Sequence, residues 1–117
     1  MDVDPNTFWD NLKKVCARDA EVLEKKDKEY GSSWKKRGGI GAFMMLCRKW
    51  DRIETQLAKV NHSPGKIASG LAERYDIFAH IIIDGRDEGL IDDVRDLRRY
   101  LALVEAELVT RGALQVK

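Results

Sequence analysis

Cysteine, proline and histidine are scarce: the 117 residues hold two of each. Cys16 and Cys47 are too few for a disulfide framework, and a reduced, cytoplasmic protein is the expectation. His62 falls in a loop and His80 in an apolar run. Neither has a histidine or cysteine at ligand spacing, which argues against zinc and against a Cys–His nucleophile. No apolar run approaches the ~20 residues of a membrane span. The start, MDVDPNTFWD, lacks the basic and apolar regions of a secretory signal. Charge of one sign is also missing. Twenty-one basic residues face twenty acidic ones, net +1, so nucleic acid ranks low among partners.

What is present is a globular composition, 44% hydrophobic and 35% charged, in a chain suited to one domain, residues 1–117. Asp4 and Pro5 read as a helix start. Phe8, Leu12, Val15, Cys16 and Leu23 recur at helical spacing until Gly31, giving a first helix over 5–30. A second runs from Gly39 to Val60 with an apolar stripe of Phe43, Leu46, Cys47, Trp50, Ile53, Leu57 and Val60. A third begins near Pro64 and carries Ile67, Leu71, Arg74 or Tyr75, and Phe78. IFAHIII has strand propensity but no partner strand, so it is assigned to this helix. DGRDEG, 84–89, is a loop. The last helix spans 88–111, with Leu90, Val94, Leu97, Leu101, Val104 and Leu108 as its stripe, and stops at Gly112. These four helices predict an all-α, four-helix bundle-like domain. Helices of this size leave an apolar face for oligomerisation.

Two acidic groups stand out. With Trp50 at zero on a helical wheel, Cys47 falls near +60° and Glu54 near +40°, and Asp51 flanks them at about +100°. Glu54 is therefore expected inside the apolar stripe, where a carboxylate needs a cation, a donor or a metal. On the last helix Glu88, Asp92, Asp96 and Tyr100 stand four apart, and Asp93 with Asp96 makes a second pair. A hard cation such as Mg²⁺ suits such oxygen donors. Neighbouring Arg48, Arg52, Arg95, Arg98 and Arg99 offer the other reading, ordinary ion pairs.

The segment KDKEYGSSWKKRGGIG, 26–41, places Lys35, Lys36 and Arg37 directly before the positive end of a helix. That arrangement calls for an anion, and phosphate is the obvious one. Gly38, Gly39 and Gly41 allow close backbone approach, and Tyr30 or Trp34 offers a face to a base. A solvated loop with its aromatics packed on the bundle accounts for the same residues.

KDKEYGSSW, GIGAFMMLCRKWDRIETQL and RDEGLIDDVRDLRRYLAL together resemble the phage and bacterial nucleotide-modification-associated domain. Its pattern falls here on Lys28, Tyr30 and Gly31; on Lys49, Asp51 and Arg52; and on Glu88, Asp92, Asp96, Leu97 and Tyr100. The same helices are more distantly similar to MazG-like all-α nucleoside triphosphate pyrophosphohydrolases. That resemblance implies Mg²⁺ on Asp51, Glu54, Asp93 and Asp96, with Glu88 and Asp92 as alternates. It also implies water attack between the α and β phosphates, and a host cytoplasm if the chain is phage-encoded. The first pair opens with aspartate where the family usually has glutamate, the gap between pairs is longer, and basic residues crowd the first pair.

Three functions follow as expectations. One is Mg²⁺-dependent hydrolysis of a nucleoside triphosphate to monophosphate and pyrophosphate. The second is a nucleotide-binding module without turnover, in which Lys28, Tyr30, Trp34, Lys35, Lys36, Arg37, Lys49, Arg52 and Tyr100 contact the ligand and the acids serve as ion pairs. The third is a helical protein–protein adaptor.

Overall fold

The structure, a computed structural model, describes residues 5–58, 75–84 and 89–117. Among these residues it is all-α, with four α-helices, one short 3₁₀ turn and no strand. The chain divides into two compact units, residues 1–36 and 37–117.

The first unit is helix α1 (Pro5–Tyr30) followed by a 3₁₀ turn at Ser33–Lys35. Pro5 occupies the first helical position, where its missing N–H removes no bond; Asp4, the expected cap, lies outside the described residues. Gly31 (φ 57°) and Ser32 (φ 47°) are both left-handed and end the helix. The Gly31 N–H donates to the Asp27 carbonyl at 2.7 Å. Asp27 Oδ1 then accepts from the Ser32 N–H at 2.9 Å and from the Ser32 hydroxyl. Most of the expected core stripe is exposed: Phe8, Leu12 and Val15 retain 62%, 42% and 38% of their surface and Cys16 is exposed too, while Leu23 is half-buried.

The second unit holds α2 (Gly38–Ala58), α3 (Ile77–Asp84) and α4 (Leu90–Thr110). Its core is Ile53 and Leu57 of α2 with Leu90 of α4, against which Ile77, Ile81, Val94 and Leu97 pack. Transfer of such aliphatic side chains out of water contributes ~1.5–3 kcal/mol each. The IFAHIII run is helical, as expected, but it opens a new helix. Tyr75 and Asp76 are non-helical. The Asp76 carboxylate accepts the Ala79 N–H at 3.1 Å, the N-cap geometry. The expected continuous helix from Pro64 therefore does not run through these two residues; Ile67, Leu71 and Arg74 lie outside the described residues.

Helix α4 begins after Gly89 with Asp92 and Asp93 in its first turn, where negative charge suits the helix dipole. It ends as the sequence predicts. Gly112 (φ 77°) donates to the Val109 carbonyl at 2.9 Å and Ala113 to that of Leu108 at 3.0 Å, a Schellman closure. A Cβ on Gly112 would meet nothing within 4 Å. Its only penalty is the left-handed backbone, so Gly112→Ala is expected to cost about 1 kcal/mol, read by thermal unfolding.

Candidate functional site: the polar seam and the basic turn

On α2, Lys49, Arg52 and Gln56 are three and four residues apart and so line one face of the helix. Each meets a carboxylate of α4. Lys49 Nζ lies 3.0 Å from Asp96 Oδ2, with both side chains largely buried at 14% and 16% exposure. Arg52 Nε lies 3.0 Å from Asp93 Oδ1. Gln56 Nε2 donates to Asp93 Oδ2 at 2.7 Å. Residue numbers rise on α2 as they fall on α4, so the two helices run antiparallel. The polar seam sits beside the Ile53–Leu57–Leu90 core.

Asp93 is the centre of the seam. Its side chain is 1% exposed, whereas that of Arg52 is 49% exposed. Asp93 Oδ1 makes no directed hydrogen bond despite its 3.0 Å approach to Arg52. The guanidinium is close but out of line, so charge holds that oxygen while Gln56 holds the other. A buried carboxylate without such partners would be costly.

This geometry corrects the sequence reading of Glu54. Glu54 is exposed, and so is Asp51. Phe43 and Trp50, placed in the core stripe, retain 61% and 53% of their surface. The α2 helix is apolar over so wide an arc that its hydrophobic pattern does not define one inward direction. The arc that α4 covers is centred on the side of Ile53 and Lys49, rotated away from Trp50 and Glu54. Glu54 does lie beside Trp50 and Phe43, but that side of the helix faces water.

The expected metal ligands are consequently in different settings. Asp93 and Asp96 are engaged by Arg52, Gln56 and Lys49. Among the described residues, no three His, Cys, Asp or Glu side chains group closely enough to hold a metal ion. Asp92 is half-buried in the first turn of α4, and Glu88 lies outside the described residues. As arranged, the donor set does not fit Mg²⁺, because a guanidinium and an ammonium stand where the cation's charge would be.

The proposed ligand-contacting residues divide between the units. Lys28, Tyr30, Trp34, Lys35 and Lys36 belong to the first; Arg37, Lys49, Arg52 and Tyr100 belong to the second. In the first unit Tyr30 is 66% exposed, while Trp34 and Lys35 are half-buried. Lys28 lies 3.8 Å from Glu24 along its own helix. The tight turn already has an internal anion, since Asp27 takes both donors of Ser32. In the second unit Arg37 is exposed and Tyr100 half-buried.

No family model, curated protein or solved structure matches this chain. Its chemistry is therefore read from its own side chains.

Gln56 is the seam residue that the sequence reading missed. The available signal was two facing rows: donors at 49, 52 and 56, and acceptors at 93 and 96. Treating each helix alone pairs the acids with arginines on their own helix and hides the match.

Glycine at 41 has a specific role beside Arg37. A Cβ there would stand 2.8 Å from Arg37 Cβ, a distance that forces the chain to shift. Ordinarily glycine to alanine inside a helix gains ~1 kcal/mol. Here Gly41→Ala is expected to gain nothing and to lower the midpoint of thermal unfolding, because the clashing atom is next to the backbone.

Proposed function

We propose that this chain is a nucleotide-handling domain of the binding kind, one that captures a phosphorylated, ring-bearing ligand without hydrolysing it. The observation that carries the choice between binding and turnover is the seam. The α4 carboxylates that a hydrolytic metal would require are committed to Arg52, Gln56 and Lys49. The acids thus act as ion pairs, and the basic, aromatic turn supplies the ligand-facing chemistry. Within residues 1–36, Tyr30 offers an exposed ring and Lys36 an exposed cation. The resemblance to the nucleotide-modification-associated domain supports the same ligand class.

The hydrolytic reading, with Mg²⁺ on Asp51, Glu54, Asp93 and Asp96, requires Asp93 and Asp96 to exchange their cations for the metal. A thermal-shift screen of nucleotides with and without Mg²⁺ separates the two. Binding alone predicts stabilisation by a nucleotide that persists when Mg²⁺ is chelated; a ligand at 100 times its Kd gives ~2.7 kcal/mol. Release of pyrophosphate that is lost in Asp51→Asn with Glu54→Gln would establish the enzyme instead. A screen in which no nucleotide shifts the midpoint would remove both and leave the adaptor.

A further inference from the structure

We draw no further inference here: the strongest candidate, the exposed apolar face of α2 formed by Ile40, Phe43, Met44 and Trp50, carries none because nothing in the structure shows what covers it.

Discussion

Arg52→Met is expected to cost this protein about 3–4 kcal/mol, more than any other surface-reaching substitution on α2. Arg52 itself is half exposed, and on that ground the change would pass as mild. The cost falls on its partner. Asp93 is 1% exposed, and Arg52 Nε is the cation beside its Oδ1 at 3.0 Å. Removing the guanidinium leaves a buried carboxylate with only the Gln56 bond. Asp93→Asn should cost less, because the uncharged amide needs no cation and the exposed Arg52 can turn to water. Urea unfolding followed by far-UV circular dichroism orders the two. If Arg52→Met proves as harmless as an ordinary surface change, the seam is not electrostatic. Replacing the trio together, Arg52→Met, Gln56→Leu and Asp93→Leu, should restore most of the loss, since an apolar seam needs no paired charge.

Ile53→Ala is expected to cost a further ~3 kcal/mol by a different route. Ile53 is 4% exposed and is one of three buried aliphatic side chains in the core cluster, with Leu57 and Leu90. Truncation removes three carbons from a cluster in which few neighbours can move in to fill the space. At ~4–8 °C per kcal/mol for a domain of this size, the melting midpoint should fall by more than 10 °C. A drop of only a few degrees would mean that the residues around Ile53 collapse onto the vacancy. Because Ile53 and Arg52 are adjacent but point to different partners, the two losses test the apolar and polar halves of one helix contact.

Much of the fold was legible in local signals. Pro5, Gly31 and Gly112 marked helix ends because each has a backbone requirement that few other residues share. IFAHIII was readable as helix by elimination, since no strand could pair with it. The break at Tyr75 and Asp76 was not, because an aspartate between a charged stretch and an apolar run looks like a surface position until its amide partner is seen. The inward face of α2 was illegible for a physical reason. GIGAFMMLCRKW is apolar around most of the helix, and a pattern with no polar side gives no direction. The decisive cue lay in polar residues, Lys49 and Gln56, whose burial depends on acids far along the chain.

The seam also sets how this protein responds to its ionic surroundings. Arg18–Glu21 and Lys28–Glu24 stand in open water, with side chains about two-thirds or more exposed. At 1 M salt the Debye length shrinks to ~3 Å, and mobile ions erase attractions of that sort. Lys49–Asp96 lies where such ions do not reach, at 14% and 16% exposure. Brine should therefore loosen the tethers along α1 while α2 and α4 stay clasped.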